Sequence, residues 1–409
     1  MIGLRVFFFF ACGFFLSYLY RAVNAVLAPE LVGTFELAGS QLGLLTSVYL
    51  LAFACSQSVL GLLLDWYGPR RVEATLLLVA ATGAVMFALA GAYETLIAGR
   101  VLIGIGCSAC LMAGLKANAI WFEGRRLPLL NGLFMAAGGI GAVSAGAPVE
   151  WALTVTDWRT IFGGLAAVTL TLSLCLFTLV PDRHDAAAEP NARALFGGLA
   201  RIYASRAFWQ VAPATMLSQG SYLATATLWA GPWLSDVSGL DRLAVATHLS
   251  VIATGTAVGF LLTGVVTQGL GRFGITPKHV AGSGMAVFIG VQLLIIAWPD
   301  GPTMWLWGAY GLFGVSGIIT YTTLTQRFGA TLSGRANTAA AMATFTCAFV
   351  FQAGTGTLLD QFSTGEPGHY TDFGHRLALG TATALQALGL LWYLSFRERS
   401  ERTAVAKRD

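Results

Sequence analysis

Arg21 falls fifteen residues into an apolar run that begins at Val6, where a helix rising 1.5 Å per residue would carry it roughly 22 Å deep. A charge at that depth in a bilayer costs at least ~2.5 kcal/mol, so something must repay it. Ser17, Arg21 and Asn24 recur at i, i+4 and i+7, with Tyr18 at i+1. They form one polar stripe on a helix that Pro29 closes. A cation in a closed cavity asks for an anion, or for a structural partner among backbone carbonyls or acids of another helix. No Asp or Glu falls in the middle of any apolar span, so the anion is read as substrate.

Lys116 is the second charge of interest. It precedes Trp121 by five residues, about 7.5 Å along a helix, and either faces the same cavity or snorkels to the headgroups. Gln326 is its counterpart in the repeat described below. Ser218, Gln219 and Tyr222 add hydrogen-bonding groups on a later span. Other chemistry is thinly represented. No Ser/His or acid/His set stands at membrane depth, so an enzyme is not expected, and no metal or other cofactor is expected either. Cys107 and Cys110 in "CSAC" have CxxC spacing, but on a helix rich in glycine and alanine they read as small-residue packing. His248 is a candidate for carrying a coupling proton, with an interfacial hydrogen bond as the alternative.

These residues need apolar helices to position them, and the composition supplies them. The chain of 409 residues is 56% hydrophobic and 11% charged, with mean hydropathy +0.69, against about 25% charged for soluble domains. It is read as an all-α integral membrane protein. All six cysteines lie in apolar runs, which argues against a disulfide framework. Spans of bilayer length fall at 6–28, 41–64, 72–92, 97–121, 127–149, 159–180, 208–234, 243–270, 278–298, 303–326, 336–359 and 376–396. Connections after the even-numbered spans carry arginines such as Arg70, Arg71, Arg125, Arg126, Arg183, Arg272, Arg327 and Arg335. Those after the odd-numbered spans carry Glu30, Glu36, Glu94, Glu150, Asp157, Asp236, Asp241 and Asp360. The positive-inside rule then puts both termini in the cytoplasm. Phe7 to Phe10 could be a signal-peptide core, but removing the first span would spoil the alternation.

The long connection from Pro181 to Phe208 divides the chain into halves of six spans. Its second part, 194–207, could be a surface amphipathic helix or a plain solvated linker. The expected organisation is a bundle over 1–181, a linker over 182–207, a second bundle over 208–396 and a tail over 397–409. The halves repeat each other. Gly61, Asp65 and Gly68 match Gly264, Gln268 and Gly271 at an offset of 203, which also relates Pro29 to Pro232; Gly104, Gly124 and Arg125 match Gly314, Gly334 and Arg335 at 210. Parallel repeats of this kind are an architecture of secondary transporters. By the same offset Arg21 matches Ala224, so the expected cavity is electrically lopsided.

Here a family resemblance becomes specific. "GLLLDWYGPRR" resembles the loop signature of the major facilitator superfamily: Gly61, Asp65, Gly68, Arg70 and Arg71 match, while Trp66 and Pro69 replace basic residues. "RVLIGIG", from Arg100 to Gly106, resembles the family's helix 4 signature. The resemblance implies twelve transmembrane helices in two pseudo-symmetric six-helix bundles that rock about a central site. It also implies a conformational latch of Gly61, Asp65, Gly68, Arg70, Arg71 and Arg100, in which Asp65 meets the N-terminus of helix 11 and Arg70 or Arg71 pairs across the cytoplasmic face in the outward-facing state. Gln268 cannot supply that charge in the second half, so the latch should be one-sided. "YRAVNAVLAP" resembles helix 1 of the family's organic-anion and organic-phosphate carriers. The second cavity arginine that phosphate exchangers place in helix 7 is missing, which favours a carboxylate.

The expected protein is a secondary transporter of a small organic anion in a bacterial-type cytoplasmic membrane. It would act as a monomer, with a coupling proton or counter-substrate and no nucleic-acid partner. Two alternatives stand beside it: a proton-driven drug or metabolite efflux pump, and a transporter-like sensor. "GGIGAVSAGAPVE" lacks the Gly-Pro pattern of many antiporters in the superfamily, which weighs against the pump.

Overall fold

The computed structural model describes residues 2–123, 126–183 and 192–396. The expected tail, the middle of the linker, and the repeat positions Gly124 and Arg125 lie outside the described residues. In chain order the helices are α1 (Ile2–Phe35), α2 (Gly39–Ala88), α3 (Tyr93–Cys107), α4 (Cys110–Trp121), α5 (Leu127–Ser144), α6 (Ala147–Leu153), α7 (Trp158–Leu179), α8 (Ala192–Tyr203), α9 (Arg206–Trp209), α10 (Ala212–Ala224), α11 (Ala230–Asp236), α12 (Arg242–Gly271), α13 (Pro277–Ala297), α14 (Thr303–Gly314), α15 (Thr320–Asp360) and α16 (Asp372–Ser395). Among the described residues, nine helical stretches are long and apolar enough to cross a membrane. The only β-pairing there is an isolated bridge between Ser363 and Tyr370.

The spans 41–64 and 72–92 both fall on α2. What separates them is Gly68, whose φ of 74° and ψ of 163° break the helical path. Glycine takes this conformation without a Cβ penalty, and Pro69 after it removes a donor from the ladder. The two arms of α2 are joined through this one glycine rather than a loop.

The glycines of "RVLIGIG" serve packing. A Cβ on Gly104 would lie 2.5 Å from the Tyr49 carbonyl oxygen, and one on Gly106 would lie 2.4 Å from the Ala80 nitrogen. Between apolar helices in lipid, such close backbone approach is what gains dispersion energy, so α3 is clamped between the two arms of α2.

Contacts between α1–α7 and α10–α16 gather at the end of the bundle that carries the acidic connections. A Cβ on Gly356 would lie 2.1 Å from the Gly39 carbonyl oxygen. The Gly39 and Ser40 N–H groups donate to the Asp360 carboxylate at 2.6 and 3.0 Å, so Asp360 caps α2 from the other half. At the arginine-rich end the described polar contacts stay within each half. Arg70 and Arg71 meet Asp182 at 3.8 and 2.7 Å, Arg70 also donates to the Phe177 carbonyl, and Arg327 donates to Gln210 at 2.7 Å. Asp65, expected at the N-terminus of a second-half helix, instead binds Lys116 of α4 at 2.5 Å and is 53% exposed. Lys116 is the cation that the structure brings within its reach.

The linker helix α8 is docked on the protein. Leu199 and Ile202 are buried in a cluster with Phe208, Ala336 and Ala339, and the Tyr203 hydroxyl donates to the Ala339 carbonyl at 3.0 Å. Its apolar face is covered by α15.

Candidate functional site

A cavity of about 400 Å³ lies at the centre of the bundle. Among the described residues Arg21 is its one charged wall residue. The guanidinium is 8% exposed and faces the rings of Tyr18, Phe53 and Phe345 at 4.7, 5.0 and 5.3 Å. Each such contact is worth about 0.5–2 kcal/mol, which repays part of the cost of burying the cation. No carboxylate pairs with Arg21 among the described residues, and its Nε has no hydrogen-bond partner there. Tyr49 is a hydrogen-bonding neighbour, and its hydroxyl donates to the Ser17 carbonyl at 3.3 Å.

Of the other predicted site residues, Ser17, Tyr18, Gln219 and Tyr222 line this cavity. Asn24 does not: it is fully buried and donates to Thr46 Oγ1 at 3.3 Å, because the stripe's last member rotates toward α2. Lys116 also lies elsewhere, its Nζ held by Asp65 and, at 2.9 Å, by the Leu64 carbonyl. Gln326 is exposed on α15. The expected latch residues Gly61, Asp65, Gly68, Arg70 and Arg71 cluster about the α2 turn, away from the cavity.

Arg100, grouped by the resemblance with the latch residues, lies inside the first half. It is fully buried, donates from Nη1 to the Tyr20 carbonyl at 3.0 Å, and stacks over the Tyr49 ring at 5.1 Å. Its Nε and Nη2 have no partner among the described residues. Two guanidinium groups thus flank Tyr49, one on the cavity wall and one behind it.

Four helix interruptions meet at the cavity. The break between α3 and α4 follows Cys107, and that between α5 and α6 falls at Ala145 and Gly146. A π-helical turn, Thr225–Trp229, joins α10 to α11, and a 3₁₀ turn, Ser316–Ile319, joins α14 to α15. Cys107, Ala145, Gly146, Ala226, Thr227 and Ile318 all line the cavity. Irregular backbone at membrane depth is tolerated where it faces such a space or is buried in protein. Cys107 and Cys110 are buried free thiols, and the Cys107 carbonyl accepts from Ser17 Oγ at 3.4 Å. His248 is buried off the cavity wall, with Nδ1 2.7 Å from the Ala244 carbonyl and Nε2 3.0 Å from Thr303 Oγ1.

Glu73 falls outside the expectation that no acid stands in the middle of an apolar span, but its burial is a feature the sequence reading missed. Read from sequence it stands at the edge of the span 72–92, yet it is 0% exposed, and neither carboxylate oxygen has a hydrogen-bond partner among the described residues. Its Oε1 occupies the space a side chain at Gly13 would need, 2.1 Å from the position of a Cβ there. Helix α1 covers the carboxyl, which the linear position of Glu73 could not reveal.

The acidic-loop end holds a second cavity of about 650 Å³. Ala25, Val26 and Leu249 line both cavities and form the partition between them. Arg242 of α12 spans the halves there, 2.7 Å from Glu30 and 3.0 Å from Glu150. Nearby, Asp236 Oδ1 lies 2.7 Å from His369 Nδ1 and Oδ2 lies 2.9 Å from His375 Nε2, while the Tyr370 N–H donates to Oδ2 at 3.0 Å. Burial opposes the charge on Asp236, but these hydrogen bonds outweigh it and hold the carboxyl below its ordinary value. The cluster pins the connection between α15 and α16, whose Gly368 rests on Val32 of α1.

Long apolar helices around a central cavity, broken where they meet it and presenting to it a cation with no acidic partner among the described residues, are the architecture of a membrane transport protein. The chain belongs to the Major Facilitator Superfamily, whose family model matches residues 10–356. It is a transporter rather than an enzyme. It is 25% identical over 300 residues to the hexuronate transporter of Escherichia coli (strain K12), with 69% of each chain covered. It is also 25% identical over 250 residues to the galacturonate transporter of Dickeya chrysanthemi, covering 57% of this chain and 72% of that one. In fold it is similar to a bacterial homologue of the human lysosomal transporter Spinster, with a TM-score of 0.76, 17% identity and 96% of each chain covered.

Proposed function

We propose that the protein is a secondary transporter of a small organic anion whose carboxylate is held by Arg21, with Ser17, Tyr18, Gln219 and Tyr222 around it. The observation that carries this reading is a cavity whose single charge is a guanidinium with no acidic partner among the described residues. Relatives that carry hexuronate and galacturonate support an anionic cargo.

The architecture in this reading has twelve crossings. The two arms of α2 make two, while α3 with α4, α5 with α6, α10 with α11, and α14 with the start of α15 make one each. The remaining crossings are α1, α7, α12, α13, the rest of α15 and α16. Residues 1–181 and 208–396 form the two bundles, 182–207 the linker and 397–409 the tail, in a bacterial-type cytoplasmic membrane with both termini inside. The contacts between halves at the acidic-loop end then close the periplasmic face, and rocking of the halves moves access to the other side. Proton symport belongs to the proposal, because the carboxyl of Glu73 can carry a proton next to the cavity-lining helix α1.

The test is a melting-temperature screen of purified protein in detergent, wild type beside Arg21→Ala, against carboxylates, phosphate esters, cations and neutral drugs. Stabilisation by carboxylates alone, lost in the variant, is the expected outcome. Equal stabilisation of both proteins by cations or drugs would replace this reading with the efflux pump. Binding without uptake into proteoliposomes would point to a sensor.

A further inference from the structure

The cavity wall says what kind of body the anion should have. Twenty of its thirty-one residues are apolar, so most of any bound molecule would face hydrocarbon. Phe14, Phe53, Tyr222, Phe260 and Phe345 supply rings around the space near Arg21. Several polar wall groups are committed to the protein itself, while Thr344 Oγ1 has no partner among the described residues. Gln219 donates to the Gly314 carbonyl at 2.6 Å and Gln57 to the Ser108 carbonyl at 3.2 Å. Tyr222 is hydrogen-bonded to Thr256, whose hydroxyl also donates to the Ile252 carbonyl at 2.8 Å. Thr227 donates to the Leu223 carbonyl at 2.7 Å and accepts from Gln352 at 3.2 Å. Asn337 exchanges hydrogen bonds with Thr325.

A polyhydroxylated acid would have to leave several hydroxyls against hydrocarbon, each costing about 1–3 kcal/mol on protein scales. A ring-bearing acid has no such cost. Its apolar body gains from burial, and its ring finds edge or face partners among the aromatic side chains.

Building on the anion-transport reading, we propose that the cargo is an aromatic monocarboxylate: the carboxylate on the Arg21 guanidinium and the ring among Phe14, Phe53, Phe260 and Phe345. This departs from the sugar acids in the names of the relatives. The carboxylate replaces the ring faces that now shield the cation, so Phe53 and Phe345 swing from the guanidinium to the substrate ring. A cavity of about 400 Å³ falls in the range of small-molecule sites and suits one ring with a short side chain.

The experiment titrates the purified full-length protein in detergent with four probes, phenylacetate, acetate, D-galacturonate and the uncharged phenylacetamide, and reads binding by melting temperature and calorimetry. Phenylacetate is expected to bind at least about tenfold more tightly than each of the other three, a difference of 1.4 kcal/mol. Arg21→Lys, which keeps the charge in the fold, should weaken phenylacetate binding, and Phe345→Leu should narrow its advantage over acetate. Galacturonate binding more tightly than phenylacetate, with Arg21 still required, would overturn the aromatic assignment and leave the anion reading intact. Phenylacetamide matching phenylacetate in wild type and in Arg21→Lys would overturn both.

Discussion

The Arg21 guanidinium is shared by Phe53 and Phe345, whose ring centroids lie 4.7 Å apart and which come from opposite halves of the chain. One side chain on α1 thereby ties α2 to α15 through a contact that an anion can dissolve. In the proposed reading, binding at Arg21 and separation of the halves are linked through these rings.

Truncating Arg21 should therefore remove the anion response first. Losing one partner of a buried charge pair costs about 2–5 kcal/mol of binding, so Arg21→Ala should weaken carboxylate binding by well over tenfold. Isothermal titration of wild type and variant checks this. An unchanged affinity would assign the arginine to structure.

The Arg242 bridge and the Gly39–Gly356 contact should set the balance between conformations. Gly356→Leu places a side chain where the Gly39 carbonyl now sits, and Arg242→Gln removes the second-half partner of Glu30 and Glu150. Both variants should open the acidic-loop end. Spin labels on the loops of that end should report longer distances than in wild type, with the larger change in Gly356→Leu.

Glu73 is expected to cost stability and to serve coupling. Replacing an unpartnered buried polar group by an apolar one of similar length, Glu73→Met, should raise the melting temperature, reflecting about 1–3 kcal/mol of relieved desolvation. The same variant should lose anion uptake driven by a pH gradient while retaining exchange of labelled for unlabelled anion. Retained pH-driven uptake would free Glu73 from coupling.

Asp236 makes stability pH-dependent with a definite sign. Its carboxyl is held below the ordinary value in the folded protein, so its contribution is present above the unfolded carboxylate value of about 3.9 and is lost as pH falls through the lower folded value. Asp236→Asn should lower the melting temperature at neutral pH. The gap to wild type should shrink steadily below about pH 4, as melting curves across the acid range would show.

Sequence by itself determined the features that depend on local spacing. Apolar run lengths marked where helices of membrane length lie, and α1, α7, α12, α13 and α16 match single runs. The Gly68–Pro69 break followed from two adjacent residues. Periodicity along one helix set Ser17, Tyr18 and Arg21 on a common wall, because 3.6 residues per turn is a local rule. Only tertiary structure decided partners. Asn24 shares the stripe but faces Thr46, since a stripe is wide enough for its edge to meet a neighbouring helix. Lys116 and Asp65 lie 51 residues apart and found each other because the arginine-rich end leaves them on one open surface. Glu73 is at the margin of its run in the linear chain, yet buried in space, because α1 with Gly13 packs across it. The aromatic clamp on Arg21 joins residues from three distant helices, and no local pattern along any one of them encodes that meeting.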